Sequence, residues 1–150
     1  MNMTDCAFCR IVAKLEPAEV IYETEHTLAF FPLEPATSGH TLVIPKRHVE
    51  TFLDVRPNEI PEIGRTVLTV GRALRAVIKP EGMNLISSAG EAASQSIMHM
   101  HIHLVPRWSG DEVGEIWPPK IPTPKRKLEL DADAIREFCR TEALEDRNPE

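Results

Sequence analysis

The stretch SQSIMHMHIHLVPR, residues 94–107, decides how this chain reads. It holds three of the six histidines, His99, His101 and His103, at alternate positions. In a β-strand alternate side chains share a face, so a strand here presents the three imidazoles on one side and Met100, Ile102 and Leu104 on the other. One face is chemical and the other is core. A single catalytic zinc held by all three is excluded by distance. Alternate strand residues lie ~6.6 Å apart and the outer pair ~13 Å, whereas the nitrogens around one tetrahedral ion sit ~2.1 Å from it. Two neighbours can share an ion, which leaves at least one imidazole for other work. Neutral imidazole is a good nucleophile and general acid or base near pH 7, and attack on phosphorus suits it because the intermediate is labile. The surroundings agree. Gln95 and Ser96 lie just upstream with hydrogen-bonding side chains, GEAAS is a small-residue loop able to bring backbone N–H groups to phosphate oxygens, and Arg107 adds a cation beyond the strand.

Outward from this strand the chain breaks into short elements. CAFCRIVAKL, residues 6–15, has apolar residues at helical spacing, and Pro17 ends it. AEVIYE, TLAFFPL and HTLVIPK read as strands, the last two separated by the turn EPATSG, and predict a small antiparallel meander. From Asn58, a capping residue type, to Ile78, apolar residues recur at intervals of three and four and predict one long helix. KPEG stops it. MNLISSAG and IMHMHIHLVP are two further strands joined by GEAASQS. After Trp108 the composition changes: WPPKIPTPKRK, residues 117–127, carries four prolines and predicts an extended arm, with a helix from about Asp131. The fold class is α+β, with one domain over residues 1–110 and a Pro-rich arm with a C-terminal helix over residues 111–150.

A chain of 150 residues with 42% hydrophobic residues builds one core. Its formal net charge of −6 argues against a general binder of nucleic acid polymers, whose affinity comes from clustered Lys and Arg. Neither a signal peptide nor a run of ~18 apolar residues is present, which predicts a cytoplasmic protein with no membrane partner. Cys6-x-x-Cys9 in a reducing compartment is metal-binding or redox-active, and Cys139 reads as a small apolar residue of the last helix.

The run HMHIHLV has the pattern His-φ-His-φ-His-φ-φ. Together with CAFCRIVA, AEVIYE, LAFFPLEP, SGHTLVIPKRHV, GMNL and GEAASQSIMHMHIHLVPR in that order, it makes the chain resemble the histidine triad (HIT) superfamily from residue 6 to residue 107. The resemblance implies a HIT-like fold, with an antiparallel sheet, one long helix and a short N-terminal helix, pairing as a homodimer through a continuous sheet. It implies a nucleotide hydrolase or transferase that acts at the α-phosphate of a purine nucleotide, a phosphoramidate or related ester, through a nucleotidyl-histidine intermediate. Dinucleoside polyphosphate hydrolysis or phosphorolysis is the alternative within the family, and a zinc-stabilised nucleotide-binding dimer with little turnover is the alternative outside catalysis.

Carried over by position, the resemblance makes His101 the nucleophile. His103 helps to bind phosphate or handle the leaving-group proton, and Gln95 and Ser96 hydrogen-bond around the phosphate. Phe8, Ile11, Phe30 and Leu33 fall where the family builds its base pocket. Three positions depart from the family pattern. Pro32 stands where many relatives have an Asp that accepts the ribose hydroxyls, Ser88 where Asn is usual near the nucleophile, and Ser94 where Gly usually precedes the Gln. In zinc-bearing relatives the histidine after IPK-x and the first histidine of the triad join the two cysteines. This implies a structural zinc held by Cys6, Cys9, His48 and His99, with no open position for water or substrate.

Overall fold

The computed structural model describes residues 6–117 and 120–145. Packing divides the chain into two compact units, Met1–Gly114 and Glu115–Glu150. The first is α+β. A short helix α1 (Ala7–Val12) leads into the meander of β1 (Glu19–Glu23), β2 (Thr27–Phe31) and β3 (Thr41–Pro45), followed by the long helix α2 (Ile60–Val77) and the strands β4 (Gly82–Ile86) and β5 (Ile102–Arg107). The five strands form one antiparallel sheet in the order β1-β2-β3-β5-β4.

Period-2 alternation sends each central strand's side chains to two different cores. Leu28 and Phe30 of β2 and Leu42 and Ile44 of β3 pack with Cys6, Phe8 and Cys9 around α1. Ala29, Val43 and Leu104 pack on the other face against Val70 and Leu74 of α2. That is why β2 and β3 read as nearly continuous apolar runs: both faces are covered. Each fully buried Phe, Leu or Ile here contributes ~1.5–3 kcal/mol relative to exposure. Thr27, at the edge of this arrangement, meets Thr66 of α2 hydroxyl to hydroxyl at 2.7 Å, and Thr24 links the pair to the Glu62 carboxylate.

Several boundaries differ from the sequence reading for local reasons. Helix α1 ends at Val12, because Lys14 turns the chain at φ +59°, before Pro17 is reached. Asn58 does not cap α2; it lies within a tight 3₁₀ turn, Pro57–Glu59, and the Glu59 carboxylate accepts the Arg56 N–H and pairs with Arg47. The histidine strand is shorter than the alternation suggests. Ladder pairing begins at Ile102, since residues 97–101 bond elsewhere: the His99 N–H donates to the Ile97 carbonyl and the Met100 N–H to the Val49 carbonyl. Gly39, before β3, takes φ +78°, and a Cβ there would stand 3.0 Å from Ile78, so the turn runs against α2 where only glycine fits.

In the second unit, α3 (Lys125–Glu145) starts about two turns before Asp131, because the Pro124 carbonyl already accepts from the Lys127 and Leu128 N–H groups. Cys139 lies on this helix, as its reading expects, and is exposed. Two of the four prolines expected in the arm, Pro118 and Pro119, lie outside the described residues. No helix among the described residues is long and apolar enough to cross a membrane.

Candidate active site and metal centre

His103 pairs across the sheet with Leu42 and Ile86 and so stands on the α1 face, the face that carries the two cysteines. His101 and His99 follow on the same side despite the irregular backbone. Met100 and Ile102 point the other way, into the cluster with Ile63 and Val49. The Phe8 ring holds the chemical face together. Its centroid lies 5.8 Å from His99, 5.4 Å from His101 and 5.4 Å from Phe30, each edge to face.

Each imidazole has one nitrogen fixed by its surroundings, and this sets its tautomer. The His99 Nε2–H donates to the Pro45 carbonyl at 2.8 Å, leaving Nδ1 as a lone pair 3.4 Å from Cys6 Sγ and 3.5 Å from Cys9 Sγ. The His101 Nδ1–H donates to the His99 carbonyl at 2.7 Å, which in the neutral ring leaves the lone pair on Nε2. The third case involves a residue to which sequence reasoning assigned no role. His40 Nδ1 accepts the Ala36 N–H at 3.0 Å, so its proton is on Nε2 and is donated to His103 Nδ1 at 2.9 Å. The proton of His103 is therefore on Nε2. Burial pushes the His40 pKa down, and burial together with the neighbouring histidines pushes His103 down to about 4, so both rings are neutral at pH 7. The His101 and His103 centroids are 4.9 Å apart. His40 stands immediately before β3, two residues before Leu42, and comes to the face of His103 only through the pairing of β3 with β5.

The four residues Cys6, Cys9, His48 and His99 bring their ligand atoms within 4.8 Å of one another. The edges of a tetrahedron with zinc–ligand bonds of 2.0–2.3 Å run about 3.3–3.8 Å, and Cys9 Sγ to His48 Nδ1 is already 3.3 Å. The donor chemistry fits as well. Burial and the Cys6 thiol push Cys9 up to about 11, while burial pushes His99 down to about 4, so without a cation these two donors are neutral, and a cation would draw the Cys9 thiolate out. His48 is placed by the segment after β3, which is anchored through the Arg47–Glu59 ion pair at 2.6 Å.

The remaining site candidates are placed as follows. Gln95 is buried and fully engaged with backbone: Oε1 accepts the Gly90 N–H, and Nε2 donates to the Glu50 and Ile97 carbonyls. Its visible job is to shape the loop before the histidines. Ser96 is exposed in that loop, Ser88 is half-buried, and Ser94 is exposed in the left-handed conformation at φ +66°. Phe8 and Phe30 are buried, Ile11 packs beside them, and Leu33 is 97% exposed. Arg107 is not free for a phosphate: Asp111 holds it at 2.7 Å and 2.9 Å, and Asn84 and the Gly114 carbonyl complete its partners. Ser87, also unassigned from sequence, donates its hydroxyl to the His101 carbonyl at 2.9 Å. It extends the β4–β5 pairing by one side-chain bond just where the ladder stops.

Known proteins resemble this chain in sequence and in fold. A family model described as the HIT domain matches residues 13–110. The protein Hit of Bacillus subtilis is 40% identical over 114 residues, covering 75% of this chain and 79% of its own. A crystal structure of a HIT family member from Bacillus subtilis superposes with a TM-score of 0.83 at 34% identity, covering 89% of this chain and 96% of that one. A zinc-bound histidine triad family protein from Mycobacterium smegmatis superposes with a TM-score of 0.70 at 36% identity, over 79% of this chain and 86% of that one. From the alternating histidines, the sheet that carries them and these matches together, the chain belongs to the HIT family.

Proposed function

We propose that the protein is a nucleotide hydrolase or transferase that acts at the α-phosphate of a purine nucleotide, a phosphoramidate or related ester, with His101 as nucleophile. The observation that carries this reading is the His101 tautomer: its Nδ1–H is tied to the His99 carbonyl at 2.7 Å, so in the neutral ring the lone pair is on Nε2. In the first step Nε2 bonds to phosphorus as the bond to the leaving group breaks, and the positive charge arising on the ring is shared with the carbonyl at Nδ1. His103 offers its Nε2–H to a phosphate oxygen and, in its scarce acid form, a proton to the departing group. His40 holds His103 in that tautomer. Water or a second acceptor then attacks phosphorus and releases His101.

Cys6, Cys9, His48 and His99 would hold a structural zinc, supported by their convergence and by the zinc-bound relative. Such an ion supplies cross-linking rather than Lewis acidity, because four protein ligands close its coordination. His99 would then serve twice, giving its Nδ1 to the metal and its carbonyl to His101. For Phe8, Ile11, Phe30 and Leu33 a role beside the base remains part of the proposal, as do roles for Gln95, Ser96, Ser88 and Ser94 around the nucleotide. A homodimer is proposed through β4, an end strand of the sheet. Leu85 on it and Leu68 on α2 are more than half exposed beside a groove of about 550 Å³ on the α2 face, opposite the histidines. The proposed domain limits are residues 1–110 and 111–150.

Rapid quenching of the protein with adenosine 5′-phosphoramidate, followed by intact-mass measurement, tests the reading. One nucleotidyl group per chain on the wild type, mapped to His101 and absent from His101→Ala, is the expected result. Turnover without an adduct, or an adduct elsewhere, would overturn it.

A further inference from the structure

We propose that α3 is a pairing seam that associates antiparallel with α3 of a second copy of this chain. Leu128, Ala132, Ile135 and Cys139 follow one another at intervals of four, three and four and fall within about 60° of arc on the helix. These four positions repeat every seven residues, 128 to 135 and 132 to 139, which is the spacing of a helix–helix seam, and Phe138 beside them widens the apolar arc to about 120°. Leu128 and Ile135 are 54% and 62% exposed, and Phe138 on the flank is 65% exposed.

Charge decides the partner and its direction. α3 opens on Lys125, Arg126 and Lys127, has no acidic side chain in its first turn, and has no basic side chain in its last. This is the reverse of what the helix dipole favours, so the isolated helix works against its own charges. The intrahelical pairs Lys125–Glu129 and Lys127–Asp131 place the cation N-terminal to the acid, the weaker order for spacing i,i+4. A second α3 running the opposite way corrects this. With a two-fold axis between positions 133 and 134, Lys125 faces Glu142 of the other copy, Leu128 faces Cys139, and Ala132 faces Ile135. Every large side chain then meets a small one, and the outermost layers are ion pairs. A parallel pair would stack Lys125 on Lys125 and Glu142 on Glu142. The arrangement is isologous, so one sequence satisfies both sides. It does not depend on the nucleotide chemistry.

The test traps the register by disulfide exchange with oxidised glutathione on the full chain. Cys139 is exposed while Cys6 and Cys9 are buried, so it is the native handle. Leu128→Cys should give a covalent dimer whose linked peptides join position 128 to Cys139. In the wild type the two Cys139 residues would be offset by about 16 Å along the axis, beyond the ~4.4–6.8 Å that a disulfide tolerates, so no dimer should form. Adding Ile135→Glu to Leu128→Cys should reduce the yield at least tenfold, as should moving the new thiol off the seam with Glu129→Cys. A wild-type Cys139–Cys139 dimer would mean parallel pairing and overturn the proposal. So would equal yields from Leu128→Cys and Glu129→Cys, or no dimer from Leu128→Cys, which would leave α3 to a different partner.

Discussion

The two ends of the histidine run share a face and a residue type, yet their surroundings differ, His99 being fully buried and His103 half-buried. At one end His99 turns Nδ1 toward two thiols and pins Nε2 to the Pro45 carbonyl. At the other, His103 meets only another imidazole, whose own direction is fixed by one backbone N–H. The first end converges four donors on a point, and the second forms a chain of hydrogen bonds. What each ring does is therefore set by the atom held by its other nitrogen. His101 lies between them and borrows from the His99 end, through that residue's carbonyl.

The sharpest way to break the comparison is at its centre. His101→Ala should lower turnover by at least about a thousandfold, because removal of a nucleophile leaves only binding and electrostatic stabilisation. The packing face, Met100 and Ile102, is untouched, so far-UV circular dichroism and the melting temperature should stay near wild type. Retention of more than a few per cent of activity would move the chemistry to another residue.

Cys9→Ser tests the metal end. Elemental analysis should find about one zinc per wild-type chain and little in the variant, with stability falling by several kcal/mol because the cross-link between α1 and the segment before β5 is lost. The rate should fall by about tenfold through a displaced His99 carbonyl, with the nucleotidyl adduct still forming on His101. An unchanged zinc content would remove the metal site from the account.

How far the sequence anticipated this comparison follows from the kind of signal each feature leaves. The meander, α2 and the two faces of the histidine run came from period-2 and period-3.6 patterns, which burial imposes directly. The metal quartet followed from a resemblance and converges in space because β3, α1 and the segment before β5 meet around Phe8. His40 and Ser87 were passed over because a lone His or Ser before or after a strand carries no pattern; their roles exist only once β3 and β4 flank β5. The early end of the β5 ladder had the same cause, since the groups that replace it, Val49 and Ser87, are far away in sequence. Arg107 was misread for a further reason: Asp111 sits four residues on, outside any helix, where the pairing is made by a turn.

His40→Ala probes the other end. It removes the donor to His103 Nδ1 and frees that ring to adopt either tautomer, so kcat should fall by about 10- to 100-fold with KM little changed. A loss confined to KM would make His40 a binding residue. The same pair makes stability depend on pH. Both rings are neutral, His40 buried and His103 half-buried, with folded pKa values below the ordinary 6.5 and that of His103 at about 4. Below pH 6.5 the unfolded chain takes up protons that the folded one does not, so this contribution is complete above pH 6.5 and is lost as pH falls toward 4. After allowance for partial solvent access, the loss by pH 5 is about 1 kcal/mol. Denaturant titrations at pH 7 and pH 5 should show it in the wild type and a smaller slope in His40→Ala.

The smallest effect belongs to the loop that delivers the histidines. Ser94 is held at φ +66° and ψ 26°, directly before Gln95, whose side chain bonds three backbone groups and so leaves the loop little room to relax. A non-glycine residue in that region costs ~1–2 kcal/mol, while glycine costs the unfolded chain ~0.5–1 kcal/mol of extra entropy. Ser94→Gly should therefore gain about 0.5 kcal/mol, a rise of 1–3 °C in melting temperature for a chain of this size. The Ser94 side chain is exposed, so no buried contact is lost. If the Ser94 hydroxyl instead binds the nucleotide, the same substitution will raise KM while stability still increases, and the two readouts separate a strained hinge from a ligand contact. A fall in stability would show that the hydroxyl holds the loop in a way its geometry does not reveal.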